Sequence, residues 1–291
     1  MILLSSENIM INLFIAIPAF GGKVHAEFTR SLLKLTIELS KRNIQHQVEF
    51  LTYESLISRG RNTLIAKFYS MWNFTHILFL DSDLIFNPIA IISMIARKKE
   101  IIACPYPKKM FNSTKMDQLF QSGYSADEIM NDQLALLTDI NYNFLTQDAP
   151  GHLDVDEREQ NRGGCYEAKD LPTGCLLIKR SAITALMLYY KDRQYVNNIS
   201  GGSDSSSDNY FFDLFGTGIV NNIYLSEDYY FCYLARSIGL KCYLETGFTF
   251  GHIGSNIFYG NLEQQLEQFG RADGLNLDKN LLLSYNDADK Q

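Results

Sequence analysis

The chain has 291 residues, of which 46% are hydrophobic and 20% are charged, so it can bury the sizeable core of a globular protein. Its formal net charge is −7, and a mildly acidic protein has no basic field to attract phosphates, which argues against a general nucleic-acid binder. No stretch approaches the roughly 18 consecutive apolar residues of a transmembrane helix.

The start of the chain and its cysteines indicate a cytoplasmic location. Residues 9–20 are largely apolar, but Asn12 and Pro18 interrupt them. They lack the charged start and the small-residue cleavage site of a signal peptide, so we interpret them as a buried strand. The five cysteines are scattered and never in Cys-x-x-Cys spacing, which argues against a disulfide framework and a structural zinc site.

The first 110 residues alternate between strand and helix patterns. Short β-branched apolar runs predict strands, and apolar residues on one face, such as Phe28, Leu32 and Leu35, predict a helix. Asn87 and Pro88 are typical of a cap followed by a first-turn proline. The predicted strands cover residues 11–18, 48–53, 76–80 and 101–104, and the predicted helices cover residues 26–41, 61–71 and 87–98. This alternation predicts parallel pairing with right-handed crossovers, as in a doubly wound nucleotide-binding domain.

The patterns weaken after residue 110. The predicted elements are a helix over residues 127–137, a strand over 141–146, a polar loop over 148–164, a strand over 171–179, a helix capped by Ser181, a helix opened by residues 225–228 that runs to about Ile238, and a strand over 241–246. Residues 201–208 (Gly-Gly-Ser-Asp-Ser-Ser-Ser-Asp) are of low complexity and predict a flexible segment. His252 is expected in a turn flanked by glycines. No internal repeat and no linker divides the chain.

Asp81 and Asp83 stand directly after the predicted strand over residues 76–80. Ligands of open α/β sheets bind at the carboxyl ends of the strands. Two carboxylates at the end of a buried strand are costly to leave unpaired, and a hard divalent cation with oxygen ligands removes that cost. Asp-x-Asp alone is more typical of solvated turn acids, but the strand context favours a site for Mg²⁺ or Mn²⁺.

Two further segments contain candidate ligand-binding residues. Arg59 and Arg61 stand at a predicted helix start, where they could grip a phosphate or a nucleobase with help from the helix N-terminus. Gly174 follows Thr173 and would permit close approach of the backbone to a ligand. Each segment also has an ordinary interpretation, a solvent-facing basic turn for the arginines and a strand-entry turn for the glycine.

The second half contains candidate catalytic and metal-binding side chains. Ser226 is a suitable N-cap, and Glu227 and Asp228 follow it in the first turn, where carboxylates are common because of the helix dipole. Functionally, one of the two carboxylates could be a general base for an acceptor hydroxyl. His252, between two glycines, is either a structural histidine or a metal ligand.

In this order, these motifs resemble those of GT-A glycosyltransferases. The resemblance spans residues 11–260 and is greatest to family-2-like enzymes and their relatives in large DNA viruses, phages and bacteria. It rests on the strand ending at Pro18 and on residues 58–62 (Ser-Arg-Gly-Arg-Asn), 79–83 (Phe-Leu-Asp-Ser-Asp), 105–109 (Pro-Tyr-Pro-Lys-Lys), 173–175 (Thr-Gly-Cys), 226–232 (Ser-Glu-Asp-Tyr-Tyr-Phe-Cys) and 252–254 (His-Ile-Gly). It implies a Rossmann-like α/β fold of GT-A type, with a mostly parallel central sheet, helices on both faces and a smaller acceptor-side region.

The resemblance also implies an organisation and a set of residue roles. It implies a single domain over residues 1–291, with a nucleotide-sugar-binding half at 11–110, an acceptor and catalytic half at 165–260 and a flexible loop at 200–209. The implied donor-binding residues are Pro18, Ala19, Phe20, Arg59, Arg61, Asp81 and Gly174. The implied ligands of a Mn²⁺ or Mg²⁺ ion are Asp81, Asp83 and His252, with Asp83 the most direct. The implied catalytic residues are Asp228, as the base, and Glu227.

The implied activity is transfer of one sugar from a nucleotide-diphosphate donor to a hydroxyl of a glycan, protein or lipid, with inversion. A UDP-sugar is the favoured donor and a GDP-sugar the next. The Gln-x-x-Arg-Trp motif of processive synthases is missing, because the one tryptophan is Trp72, and the insert at residues 201–208 departs from the compact family pattern. Single-sugar transfer is therefore expected, in the cytoplasm of a cell or of the host of a virus that encodes the protein.

Other functions are weighed against this one. A sugar-nucleotidyltransferase needs a long Gly-rich loop with Arg and Lys after the first strand, and residues 19–23 are short and contain no Arg. A phosphatase with an aspartate nucleophile needs Asp-x-Asp-x-Thr, and here Ile85 stands at the threonine position. A non-catalytic nucleotide- or carbohydrate-binding module stays open if Glu227 and Asp228 only start a helix.

Overall fold

The structure, a computed structural model, describes residues 10–140, 143–144, 164–197 and 205–269. Within these ranges the helices are α1 (Ala26–Lys41), α2 (Ile57–Ser70), α3 (Pro88–Ala96), α4 (Ser113–Gln121), α5 (Ala126–Asp132), α6 (Arg180–Tyr189), α7 (Glu227–Ser237) and α8 (Leu262–Phe269). The strands are β1 (Asn12–Ala19), β2 (Gln45–Thr52), β3 (His76–Leu80), β4 (Leu84–Ile85), β5 (Ile101–Ala103), β6 (Pro107–Phe111), β7 (Thr138–Ile140), β8 (Asn143–Phe144), β9 (Cys165–Asp170), β10 (Cys175–Lys179), β11 (Gly218–Val220), β12 (Ile223–Leu225), β13 (Cys242–Glu245), β14 (Phe250–Ile253) and β15 (Ile257–Gly260).

The largest sheet has eight strands in the order β2-β1-β3-β10-β5-β13-β9-β8. β1 pairs in parallel with β2 and β3, and β5 pairs in parallel with β13. β10 lies antiparallel between β3 and β5, and β9 is antiparallel to β13 and β8. The protein is therefore an α/β fold with a large mixed sheet, in which three strand pairings are parallel and four are antiparallel. This sheet is compatible with a Rossmann-like arrangement.

One expectation about the sheet is corrected. The alternation of elements predicts that all strands of the first 110 residues pair in parallel, and this holds for β1, β2 and β3. β5 has the expected direction but does not touch β3, because β10 is inserted between them with Leu177 opposite both Leu78 and Ile102. β10 comes from far along the chain, so local alternation contains no signal for it.

Both faces of the sheet are covered by helices, as expected. Alternate residues of β1 point to opposite sides, because side chains of a strand alternate between faces. Phe14 and Ala16 join one buried cluster with residues of α2, α6 and α7. Leu13 and Ile15 join the other cluster, with residues of α1 and α3.

A three-stranded sheet in the order β15-β14-β4 lies beside the end of β3. β14 is antiparallel to β4, with His252 opposite Leu84. His252 therefore lies within a strand, and the prediction of a glycine-flanked turn is wrong. The pairing matters for the site because it brings residue 252 beside the segment that follows β3.

Several predicted boundaries agree with the structure and others are corrected. The predicted helix at Ala26–Lys41 and strand at His76–Leu80 are confirmed. Asn87 is confirmed as a cap, since its side chain accepts a hydrogen bond from the Ile89 N–H. Ser181 is not a cap, because α6 already begins at Arg180. The predicted helix over residues 127–137 is divided in the structure. Its first half belongs to α5, and Leu134–Leu136 forms a short 3₁₀ turn.

Other predicted segments are described only in part. Of the predicted strand over residues 141–146, β8 covers Asn143–Phe144, and nearly all of the predicted loop over 148–164 lies outside the described residues. The first half of the predicted flexible segment at 201–208 also lies outside them, and Ser205–Tyr210 forms a 3₁₀ helix. Within the described ranges, none of the helices has both the length and the apolar character needed to cross a bilayer.

Candidate active site

A cleft of about 360 Å³ opens at the carboxyl ends of β1 and β3. Its walls come from the segments after β1, β2 and β3, from the turn before β10 and from the first turn of α7. The residues that line it are Pro18, Phe20, Glu54, Ser55, Ile57, Arg61, Asp81, Ser82, Asp83, Tyr106, Thr173, Glu227 and Asp228. Most of the site residues expected from the sequence therefore meet in one place.

Gly174 packs directly against Asp81. Its carbonyl oxygen accepts a hydrogen bond of 2.8 Å from the Asp81 N–H, and its own N–H donates to the Tyr106 hydroxyl at 3.1 Å. A Cβ atom at position 174 would lie 2.5 Å from the Tyr106 hydroxyl and 2.8 Å from Asp81 Oδ2. Glycine is therefore required here because the neighbouring Asp81 and Tyr106 side chains occupy the space.

Arg61 is the buried cation of the cleft, with 2% of its surface exposed. α2 begins at Ile57 rather than at Arg61, so Arg61 projects from the interior of the helix and not from its start. Its Nη2 lies 3.1 Å from Asp81 Oδ1, and its Nε lies 3.7 Å from Glu227 Oε1. Burial opposes the charge, but the carboxylates of Asp81 and Glu227 outweigh it and raise the pKa of Arg61. Arg61 therefore joins the strand-end carboxylate to the carboxylate of α7.

Asp83 and His252 form a second pair in the cleft region. His252 Nε2 lies 3.5 Å from Asp83 Oδ2, and the Ile253 N–H donates to the Asp83 carbonyl at 2.8 Å. On its other side, His252 Nδ1 is 2.8 Å from the Pro107 carbonyl oxygen. A carbonyl can only accept, so Nδ1 carries a proton, and Nε2 is the ring nitrogen that faces Asp83.

Lys109 supplies a cation to the same carboxylate, with its Nζ 2.6 Å from Asp83 Oδ2. Burial raises the pKa of Asp83, but hydrogen bonds from His252 and Lys109 and their charges outweigh this and lower it to about 2. Asp83 is therefore ionised throughout the ordinary pH range. Tyr106 completes this side of the cleft, with its ring edge-on to His252 at 5.2 Å between centroids.

The acidic pair expected to contain the base lies at the start of α7. Burial raises the pKa of Glu227, the charge of Arg61 opposes this shift, and the nearby Asp228 adds to it. Asp228 Oδ1 accepts hydrogen bonds from the Ser226 hydroxyl and, at 2.9 Å, from the Tyr229 N–H. Ser226 occupies the predicted N-cap position, but its hydroxyl donates to Asp228 instead of accepting from the backbone.

Arg59 does not line the cleft. It holds Glu54 in a two-point ion pair, with Nε 2.6 Å from Oε2 and Nη2 2.8 Å from Oε1. Glu54 Oε1 also accepts from the Leu56 N–H at 2.9 Å. Because Glu54 lines the cleft, Arg59 acts on the site by fixing the orientation of that carboxylate.

Of the three residues expected to contact the nucleobase and ribose, two line the cleft and one lies in the hydrophobic core. Pro18 and Phe20 line the cleft, and the Phe20 side chain is 72% exposed. Ala19 is 2% exposed and belongs to the core. An exposed aromatic ring beside a polar cleft is suited to cover a planar ligand group.

Glu54, Tyr106 and Lys109 are site residues for which the sequence assigns no role. Tyr106 and Lys109 belong to the Pro-Tyr-Pro-Lys-Lys segment, whose two prolines, near the end of β5, were the available signal. Glu54 had no such signal beyond lying before the two arginines.

Asp83 and His252 are the residues best placed to hold a divalent cation, because one offers a carboxylate oxygen and the other the ring nitrogen Nε2. Asp81 is engaged by the buried Arg61, whereas the lysine that contacts Asp83, Lys109, is 41% exposed. In the part of the chain that the structure describes, no three or more His, Cys, Asp or Glu side chains form a metal-binding group. Magnesium in nucleotide sites uses one or two carboxylates, the substrate phosphates and several waters, so the pair fits a cation that arrives with a diphosphate.

No protein-family model matches the sequence, and a search of curated proteins finds no match. Among solved structures, the crystal structure of A197 from STIV is similar over 84% of this chain and 86% of that chain, with a TM-score of 0.42 and 14% sequence identity. A likeness at this level carries no argument about activity.

Proposed function

We propose that the protein is a metal-dependent glycosyltransferase of GT-A type that moves one sugar from a nucleotide-diphosphate donor to an acceptor hydroxyl. The observation that carries this proposal is the convergence of carboxylates and a cation on one cleft at the strand ends, with His252 beside Asp83. The residues that line the cleft are Asp81, Asp83, Arg61, Glu227 and Asp228. A cation-binding pair beside two carboxylates suits a reaction with an anionic leaving group and an acceptor that must lose a proton.

Asp83 and His252 are the proposed protein ligands of Mn²⁺ or Mg²⁺. A bound divalent cation supplies neutralisation of the diphosphate leaving group. Arg61, held by Asp81 and Glu227, places a cation among the carboxylates that line the cleft. Phe20 and Pro18 provide the apolar wall on which a nucleobase and ribose could lie.

Asp228 is the proposed general base. Both of its hydrogen bonds fall on Oδ1, and within the described residues Oδ2 makes none, so Oδ2 is the oxygen that would accept the acceptor's proton. Glu227 is less suited because Arg61 Nε lies 3.7 Å from its carboxylate. Attack on the sugar from the face opposite the diphosphate would invert the anomeric centre.

A UDP-sugar is the first donor to test and a GDP-sugar the second, with a glycan, protein or lipid as acceptor. Transfer and donor hydrolysis would be measured with each donor, and the anomeric configuration of the product followed by NMR. Asp228→Asn should lower turnover by about 100-fold or more, as loss of a general base does, while donor binding persists. Asp127→Asn is the matched control, because Asp127 is an exposed carboxylate in the first turn of α5. Near-native turnover of Asp228→Asn would show that Asp228 is not the general base.

A further inference from the structure

One carboxylate oxygen of Asp83 is in contact with both Lys109 and His252. Asp83 Oδ2 lies 2.6 Å from Lys109 Nζ and 3.5 Å from His252 Nε2. The ammonium therefore contacts the same carboxylate oxygen that a metal ion held between aspartate and histidine would use. An ammonium and a divalent cation repel each other, so each weakens the binding of the other at that oxygen.

The chain positions this lysine with two local features. β6 contains both Pro107, whose carbonyl fixes His252, and Lys109. Gly254 leaves room for the lysine stem, since a Cβ at that position would lie 3.1 Å from Lys109 Cδ and 3.5 Å from Lys109 Cβ. The same strand thus orients one metal ligand and neutralises the other.

The Lys109 side chain can also move away from Asp83. Its side chain is 41% exposed, and a lysine ammonium on four methylenes can change rotamer at little cost compared with a buried, forked arginine. Arg61, in contrast, is held by Asp81 and Glu227 and is almost fully buried. Arg61 is therefore a fixed cation, whereas Lys109 is a displaceable one.

We propose that Lys109 is a resident counter-ion of Asp83, which a divalent cation displaces when a nucleoside diphosphate binds. Without diphosphate, the metal must compete with the ammonium for Asp83 and binds weakly. With diphosphate, the phosphates add ligands to the metal and negative charge that attracts the released ammonium. Each ligand, the metal or the diphosphate, therefore increases the affinity of the protein for the other, which is positive coupling. This inference rests on the proposed function, because it needs a diphosphate-dependent metal site at Asp83.

The test measures Mn²⁺ binding by calorimetry and by the paramagnetic resonance signal of free Mn²⁺, without nucleotide and with saturating UDP or GDP. Lys109→Met should bind Mn²⁺ alone about tenfold more tightly than the wild type, a change of about 1.4 kcal/mol, and the gain in affinity on adding nucleotide should shrink. Lys109→Arg keeps the cation and should stay weak without nucleotide. Lys108→Met is the matched control, since Lys108 is the neighbouring exposed lysine of β6, and it should behave as the wild type.

The outcomes separate the two proposals. If nucleotide strengthens Mn²⁺ binding to the wild type but Lys109→Met binds Mn²⁺ alone no more tightly, the role of Lys109 is wrong and the metal site stands. If no nucleoside diphosphate strengthens Mn²⁺ binding to the wild type or to Lys109→Met, the proposed metal role fails and this inference fails with it. Thermal melting of each variant confirms that it is folded, and the exposed lysines should change it little.

Discussion

The carbonyl oxygen of Gly174 accepts a 2.8 Å hydrogen bond from the backbone N–H of Asp81. This contact extends the antiparallel pairing of β3 and β10, in which Leu80 lies opposite Cys175, by one residue beyond the end of β3. The position of Asp81 is therefore set by β10, the strand inserted into the otherwise parallel region. The cleft is built where that insertion meets the end of β3.

Gly174→Ala should disrupt the cleft. The added Cβ would lie within 3 Å of the Tyr106 hydroxyl and Asp81 Oδ2, so both side chains must move. Overpacking of this kind costs about 1–3 kcal/mol, and we expect a lower melting temperature together with loss of metal-dependent nucleotide binding in calorimetry. A variant that melts and binds as the wild type would show that the site tolerates displacement of Asp81.

Removing the charge of Arg61 should destabilise the protein. Arg61→Met would leave Asp81 and Glu227 facing each other in the cleft without their common cation. Breaking a buried pair from one side costs about 3 kcal/mol or more, which urea unfolding would detect. Arg59→Met is the comparison, because its pair with Glu54 is partly exposed and such pairs contribute about 0–1 kcal/mol. Equal losses in the two variants would contradict the role assigned to Arg61.

His76 should make the protein less stable in mild acid. Burial, with a smaller contribution from the charge of Lys179, lowers the pKa of His76 from 6.5 to about 4. Between these two pH values the unfolded chain binds a proton at His76 that the folded protein does not. The free energy of unfolding is therefore highest above pH 6.5 and decreases as the pH falls towards 4. The loss is on the order of 3 kcal/mol.

The check on His76 is urea unfolding at several pH values between 4 and 7. His76→Gln removes the titrating group, so its unfolding free energy should depend less steeply on pH in this window than that of the wild type. Parallel pH profiles for the two proteins would mean that other groups cause the acid sensitivity.

Local sequence signals predict part of this structure well. The spacing of Phe28, Leu32 and Leu35 predicts the bounds of α1 because one helix face is enough to define the element. Asp81 and Asp83 follow β3 as expected, since the end of a short apolar run is readable from sequence. The acidic pair at the start of α7 is likewise a local feature.

Long-range pairings explain what the sequence does not predict. His252 lies beside Asp83 only because β14 pairs with β4, and β10 lies between β3 and β5 only through pairings distant in the chain. The contact between Lys109 and Asp83 depends on where β6 runs beside β14. Arg59 and Arg61 have the same residue type and are two positions apart, but the turn of α2 directs one towards Glu54 and the other into the cleft.

The central claim is that the cleft binds a nucleotide sugar through a divalent cation at Asp83. Its most direct test is the melting temperature of the wild-type protein with a panel of UDP-sugars and GDP-sugars, each with Mn²⁺ and with EDTA. At ~100 times its Kd, a ligand that binds the folded state stabilises it by about 2.7 kcal/mol. We predict that at least one donor raises the melting temperature by several degrees with Mn²⁺ and not with EDTA, and that Asp83→Ala abolishes the difference. Equal shifts with Mn²⁺ and with EDTA, or no shift with any donor, would contradict the claim.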